Sequence, residues 1–476
     1  MGNIMNKRAG LFAKNIIFAV GANVSRILTT LILTLILPKV MSVEAYSEWQ
    51  LYHFYATYLV YSTLGWTEGL YMKYGGISYQ DLDKRRISSQ IWGIAVHEAI
   101  FACIALFTGG ILLSAGDIKR QLLLGAVLYM VFHVILCQLQ AVLQACNRIS
   151  DYARLYTGER VLFLSAALGC ILIGQTGFHG FILVEILSNV ILMAYAAYLC
   201  REIVFAGPLP FKTMLKEERE LIGIGCSVSL ASFLGQLIIG VVRFGVEQKW
   251  GTVAFGQLSL SFSMANMAVT CITAVSIVIF PVLKRLNRDK ANHLYLPIRD
   301  LMTMPMFGIL LFYAPAKYLL TLWLPEYGDS VRYLAILLPF CIFEVRNSVL
   351  ACTYLKVWMG QKYIMYANIA ALAVSAAATW LTVFVLESID LAAVSIMGLY
   401  ALKTILTEQA VKKYIDIKLA LFNIQELLLT TVFMLLSWFC SPLTALAGYL
   451  ICYLLYLFFG RKRLSRAYST LKGMIR

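Results

Sequence analysis

LLLGAVLYMVFHVILCQLQAVLQA, residues Leu122–Ala145, decides the fold class. The stretch holds no Asp, Glu, Lys or Arg. As a helix rising about 1.5 Å per residue it is long enough to cross a hydrocarbon core of about 30 Å. Apolar runs of this kind recur from end to end of a 476-residue chain that is 60% hydrophobic with mean hydropathy +0.77. That composition excludes an ordinary soluble globular protein and indicates a polytopic helical membrane protein.

About fourteen spans are readable at the roughly 20-residue crossing length. They are Ile16–Leu37, Trp49–Met72, Ile91–Leu113, Leu122–Ala145, Val161–Gly177, Gly180–Leu199, Leu221–Val246, Ala254–Phe280, Leu301–Leu324, Tyr333–Leu355, Ile364–Leu386, Leu391–Ala410, Ile424–Ser441 and Leu443–Gly460. The first run is too long for a signal-peptide core and has no small-residue cleavage site after it, so it is expected to stay as a helix.

The net charge of +15 raises the question of nucleic acid, and its placement answers it. About 30 of the Lys and Arg fall in the N-terminus, the even-numbered connections and the C-terminal tail, against about five in the opposite connections. The charge is a topology signal that puts both termini in the cytoplasm. The connections are short, so no extramembrane domain is expected. In the tail, Arg461, Lys462, Arg463 and Arg466 accompany Leu464, Ala467, Tyr468, Leu471 and Ile475 at helical spacing, which predicts a helix on the anionic inner leaflet. The eleven cysteines form no Cys-x-x-Cys pair and read as small buried hydrophobes. No metal or cofactor is implied.

A shift that takes Ala45-Tyr46-Ser47-Glu48 onto Ala254-Phe255-Gly256-Gln257 also lays the first six spans over the seventh to twelfth. The expected fold is therefore all-α, with two six-helix lobes related by a pseudo-two-fold axis along the membrane normal. The expected division is 1–205 and 206–412 for the lobes, 413–460 for two additional helices, and 461–476 for the basic tail.

Three local stretches then carry a resemblance. They are Lys14-Asn15 with the turn Val43-Glu44-Ala45-Tyr46, Leu322-Trp323-Leu324-Pro325-Glu326-Tyr327 with Ser330, and Gly360-Gln361-Lys362 with Asn368. With the two-lobe organisation, the chain resembles the multidrug/oligosaccharidyl-lipid/polysaccharide exporter superfamily, and within it the O-antigen and teichoic-acid type polysaccharide flippases. The resemblance implies a non-enzymatic transporter in the bacterial cytoplasmic membrane. Such a protein moves undecaprenyl-diphosphate-linked oligosaccharide from the inner to the outer leaflet, beside a polymerase and other biosynthetic proteins. It brings no catalytic signature.

Five cations lie inside expected spans: Arg26, Arg243, Lys317, Arg346 and Lys403. A charge in hydrocarbon faces a water-filled cavity, pairs with an acid or snorkels. Arg26, Arg346 and Lys403 come from three different spans at depths of about 15, 13 and 10 Å, the geometry of a ring that binds diphosphate. Arg243 and Lys317 lie nearer the outside, as a second level or as snorkelling chains. The competing reading is pairing with intramembrane acids. Arg26 is within reach of Glu98 on the third span, whereas Glu344 points away from Arg346. Glu68 and Glu408 are expected to face headgroups or water. His97, Glu98 and His133 are the candidates for ion coupling, against the commoner fate of a packed histidine.

Asp81-Leu82-Asp83 resembles a glycosyltransferase metal pair, but beside Lys84-Arg85-Arg86 on a short loop it reads as solvated charge. No Gly-rich phosphate loop with Lys-Ser/Thr is present, so direct ATP-driven transport is not expected. Trp49, Trp66, Trp250, Trp323 and Trp358 near span ends read as interface anchors. Two alternatives stand beside the flippase. An ion-coupled drug or cation antiporter would favour acids in its cavity. A membrane polysaccharide polymerase or glycosyltransferase would need a sizeable loop.

Overall fold

A computed structural model describes residues 25, 27–114, 117–273, 288–415, 417 and 419–475. Within these every regular element is helical, and the chain divides into two compact units, Met1–Phe233 and Leu234–Arg476. Ten helices are long and apolar enough to cross a membrane, or eleven with the bent pair Pro325–Leu337 and Phe340–Val357 taken as one span. A break inside Phe211–Thr273, the interrupted segment 43–74 and the short apolar helix Ile27–Val40 are compatible with the fourteen expected.

The first unit contains α1 (Ile27–Val40), α2 (Val43–Leu59), α3 (Trp66–Tyr74), α4 (Lys84–Leu112), α5 (Ile118–Ala145), α6 (Ile149–Leu172) and α7 (Phe178–Leu199). Polar side chains start the helices where short connections end. Ser42 accepts from the Ala45 amide at 3.2 Å, Asp83 from Arg86 at 3.1 Å and Asp117 from Lys119 at 2.9 Å. Each cap satisfies an amide that the first helical turn leaves without a partner. The fold-deciding helix α5 is the centre of the unit, with α2, α3, α4 and α7 packed around it.

The second span is broken rather than continuous. A 3₁₀ turn, Val60–Thr63, is followed by Leu64 and Gly65 in the left-handed region, at φ +50° and +91°. The break lets α3 cross the long helix that starts at Phe211, backbone against backbone. A methyl group on Gly225 would lie 1.9 Å from the Gly65 carbonyl oxygen, and one on Gly69 2.0 Å from that of Leu221. Lys73 reaches Glu217 at 3.2 Å and Glu220 at 2.9 Å beside this crossing, and Arg86 reaches Glu217 at 3.2 Å. These contacts place residues 211–233 with the first unit, so the contact boundary falls later than residue 205, where the repeat begins.

Gly251, at φ +81°, separates α8 (211–250) from α9 (252–273). The second unit continues with α10 (Arg288–Ile309), α11 (Tyr313–Trp323), α12 (Pro325–Leu337), α13 (Phe340–Val357), α14 (Gln361–Val385), α15 (Ile389–Val411), α16 (Ala420–Phe439) and α17 (Pro442–Ile475). The 48° bend between α12 and α13 sits at Leu338-Pro339, where the ring removes a backbone donor. A widened turn, Arg346–Ala351, follows within α13.

Four expectations change. The fifth helix begins at Ile149 instead of Val161, and the ninth at Arg288 instead of Leu301. The basic tail is no separate surface helix, because α17 runs from Pro442 to Ile475 without a break. Trp49 and Trp66 are buried, not anchored at an interface, and Trp66 donates to Gln90 at 2.7 Å. The last two helices, expected as additions, are wired into the second unit. Tyr449 and Tyr453 of α17 donate to the carbonyls of Phe307 and Met304 on α10, at 2.9 and 3.2 Å.

Candidate functional site

The expected ring of cations resolves into separate groups. Arg26 lies outside the described residues, and with it any pairing to Glu98. Arg346 is 2% exposed, with its Nε 3.0 Å from Glu408 and its Nη1 against Glu426. Arg299 of α10 joins the same two carboxylates, at 3.4 Å to Glu408 and 2.8 Å to Glu426, and donates to Asn423 at 2.8 Å. Four helices (α10, α13, α15 and α16) thus converge on two guanidiniums and two carboxylates, and Asp300 adds a third carboxylate 3.9 Å from Arg299. Glu408 was expected to face headgroups or water and is instead fully buried, because the two guanidiniums compensate its charge.

Lys403 takes the other acid, with Nζ 3.4 Å from Glu344 and 5.2 Å from the Tyr400 ring. The Cβ position of Gly235 lies 3.3 Å from the Asn368 amide and 3.9 Å from the Lys403 ammonium. Arg243 donates to Ser259 through Nε and Nη2, at 3.1 and 2.7 Å, and stacks on Phe255 at 4.8 Å. Lys317 sits 5.9 Å from the Tyr313 ring beside Phe433 and Ser437. In this conformation Arg346 and Lys403 are committed to protein carboxylates.

The three ion-coupling candidates also separate. His97 contacts the Ser62 carbonyl at 3.0 Å and Glu218 at 3.4 Å, while the buried Glu98 accepts from the Ser62 hydroxyl at 2.7 Å. His133 stands elsewhere, stacked on Tyr129 with ring centroids 4.8 Å apart. Its Nδ1 is 3.0 Å from Asn189 Oδ1 and 3.5 Å from Glu159, and its Nε2 is 3.4 Å from Cys137 Sγ. Asn189 donates its amide nitrogen to the Glu185 carbonyl at 3.0 Å, which turns the oxygen toward His133. Both neighbours of Nδ1 are then acceptors, so Nδ1 carries the proton and Nε2 faces the thiol.

Around His133 lies a cluster the sequence did not single out. His53 of α2 is 3.7 Å from Glu185 of α7, with the imidazole side chain 39% exposed and the carboxylate 11%. Arg160 of α6 is half-buried, and Glu159, Tyr129, Tyr156 and Glu185 are its electrostatic neighbours. Tyr52 hydrogen-bonds Glu185 there, while Arg160 Nε is buried with no hydrogen-bond partner among the described residues. Arg160 and Glu159 had been placed in a connection because the apolar run starts only at Val161. The signal for a longer helix is the spacing of Tyr152, Tyr156, Glu159-Arg160 and Phe163, one face continued through the supposed loop.

No protein-family model matches the sequence, and no curated protein matches it. Solved structures do share the fold. The inward-facing form of a multidrug resistance MATE family transporter of the MOP superfamily superimposes with a TM-score of 0.65 at 13% identity, covering 82% of this chain and 98% of its own. The lipid II flippase MurJ, in an inward closed conformation, gives 0.65 at 13% identity over 94% of this chain and 99% of its own. A MOP superfamily transporter from Pyrococcus furiosus gives 0.54 at 11% identity over 83% and 95%. These neighbours are transporters and a flippase, and the likeness is one of fold.

Proposed function

We propose that the protein is a flippase that carries polyprenyl-diphosphate-linked oligosaccharide from the inner to the outer leaflet by alternating access. It would serve surface polysaccharide biosynthesis in a bacterial cytoplasmic membrane, with both termini cytoplasmic as the loop charge indicates. The observation that carries this reading is a groove of about 510 Å³ between α16 and α17. Leu421, Leu428, Leu455 and Phe459 line it and remain exposed, while Arg463 closes one end with its guanidinium 4.3 Å above the Phe422 ring. An apolar slot ending at an arginine is complementary to a hydrocarbon chain ending in diphosphate. Arg461 and Lys462 beside it add to the attraction for an anionic lipid. The fold likeness supports the reading in extent. The lipid II flippase covers 94% of this chain against 82% for the MATE transporter, a difference about as long as the last two helices.

The test is reconstitution in proteoliposomes containing a polyprenyl-diphosphate oligosaccharide, with transbilayer movement read by a sugar-cleaving enzyme added outside. The protein should accelerate movement, and filling the groove by Leu428→Trp with Leu455→Trp should slow it at least tenfold at matched protein levels. Unaccelerated lipid movement together with proton- or sodium-driven efflux of a drug cation would replace the flippase by the antiporter.

A further inference from the structure

We propose that Cys137 is a modification site: a nucleophilic thiolate, activated by His133, that small peroxides oxidise to a sulfenic acid. The inference is independent of what the protein carries and is argued from α5, α6 and α7 of the first unit.

A thiol is a weak nucleophile until a base within reach takes its proton and a third group holds that base in place. The three parts meet here on three helices. Cys137 and His133 lie one turn apart on α5, which brings Sγ to 3.4 Å from Nε2. The stack on Tyr129 fixes the plane of the ring. Asn189 of α7 accepts from Nδ1 at 3.0 Å, and Glu159 of α6 stands 3.5 Å from the same nitrogen. Nδ1 therefore keeps its proton, and Nε2 is left to take the one on sulfur. The Glu159 carboxylate then faces an imidazolium, which it stabilises. Moving a proton from sulfur to the ring adds no net charge, so a low dielectric opposes this step less than it opposes a lone thiolate.

The surroundings select the reactant. Acyl transfer to a thiol needs donors aimed at the developing oxyanion, commonly backbone amides. Cys137 sits well inside α5, where the amides are spent on the helix itself, which disfavours a thioester-forming role. Peroxide needs no such donors and is small and uncharged. The thiolate attacks one peroxide oxygen, a sulfur–oxygen bond forms as the oxygen–oxygen bond breaks, and sulfur gives up two electrons. The departing hydroxide takes the proton from His133 Nε2 and leaves as water, which returns the ring to neutrality. Access is open, since Cys137 is half-buried and the His133 side chain is 17% exposed. The other titratable groups near the sulfur are Tyr129 of α5 and Tyr152 of α6, which are uncharged at neutral pH. Glu159 stands on the Nδ1 side of the ring, with Arg160 and the Glu185–His53 contact beyond it.

The test uses the full-length protein in nanodiscs, with alkylation by N-ethylmaleimide followed at each cysteine by mass spectrometry from pH 6 to pH 8. Cys440, exposed at the end of α16, is the internal reference. An ordinary thiol titrates at about 8.5, so the Cys440 rate should climb about tenfold per pH unit. Cys137 should react at nearly one rate throughout and outpace Cys440 at pH 6 by about tenfold, although it is less exposed. His133→Gln should slow Cys137 at pH 6 by about tenfold or more and give it the climbing profile of an ordinary thiol. A packing defect would instead shift the rate alike at every pH. Asn189→Leu should reproduce part of that loss, and Asn189→Asp, which keeps an acceptor at Nδ1, should not. Hydrogen peroxide followed by dimedone should place an adduct on Cys137 at a dose that leaves Cys440 unmodified, and should place none there in His133→Gln. A wild-type Cys137 rate that climbs with pH as that of Cys440 does, or one that His133→Gln leaves unchanged, overturns the proposal. Fast alkylation without a dimedone adduct on Cys137 overturns peroxide as its reactant.

Discussion

Each unit gathers arginine, glutamate and further polar groups among its helices, and the two gatherings differ in one respect. In the second unit, Arg299 and Arg346 each have Glu408 and Glu426 within 3.4 Å, and all four side chains are at most 2% exposed. In the first, Arg160 makes no ion pair among the described residues, its carboxylate neighbours are turned toward histidines, and the His53 side chain stays 39% exposed. Charges met directly by opposite partners in a closed space specify how helices meet. Direct pairing and burial separate the two cases.

The comparison breaks most decisively at Arg346. Arg346→Gln leaves two buried carboxylates sharing one guanidinium, and removing one partner of a buried pair costs about 3–5 kcal/mol. Thermal unfolding in detergent should show a loss of folded protein before any effect on transport can be read. Replacing Arg346 by Met together with Glu426 by Leu removes one charge of each sign and should recover most of the lost stability. If the single variant is as stable as wild type, the network is not structural, and Arg346 returns to the diphosphate role first expected of it.

A contact without charge comes next in size. Gly225→Ala drives a methyl group to 1.9 Å from the Gly65 carbonyl oxygen, and neither backbone can yield without moving α3 or α8. Overpacking of this kind costs about 1–3 kcal/mol. A loss of stability near that of Arg346→Gln would rank backbone contact with charge compensation as an organiser of these helices.

Arg160→Leu should be the opposite of Arg346→Gln. Its guanidinium has no ion pair to lose among the described residues, so the variant should unfold within about 1 kcal/mol of wild type. A large drop in stability would mean that Arg160 is compensated at longer range by Glu159 and Glu185, and the contrast between the units would weaken.

Much of the fold was legible because lipid reads sequence simply. A helix against hydrocarbon must be apolar over its exposed length, so runs such as Leu122–Ala145 gave the helical organisation. Hydropathy is blind, however, where a helix continues among other helices instead of lipid. Arg299 and Glu159-Arg160 lie in α10 and α6 ahead of the apolar runs, at Leu301 and Val161, that were taken to start them. Glu426 was inside an expected span but went uncounted, so Arg346 seemed to lack an acid. Which acid meets which base depends on packing between helices distant in sequence, and no spacing along one chain encodes it. The repeat of buried positions Tyr295, Arg299 and Thr303 was readable as one helical face, but its partners on α15 and α16 were not.

The smallest expected effect lies where both partners of an ion pair are exposed. Lys84, at the start of α4, donates to Glu202 at 2.6 Å, with side chains 39% and 59% exposed. The hydrogen bond from Lys84, and then its charge, hold the Glu202 carboxyl below its ordinary value. A lowered folded value means that any stabilisation is present above the ordinary glutamate range and is lost as pH falls through the lowered one. Water and salt screen a pair this open, and holding two long side chains in register offsets the attraction. Glu202→Gln should therefore leave the thermal midpoint at neutral pH unresolved from wild type, with raised salt changing neither protein relative to the other. The same carboxylate-to-amide change at Glu426 should be among the costly ones. If the two substitutions cost the same, burial is not what distinguishes a structural charge from a spectator in this fold, and the division drawn between the two units loses its physical basis.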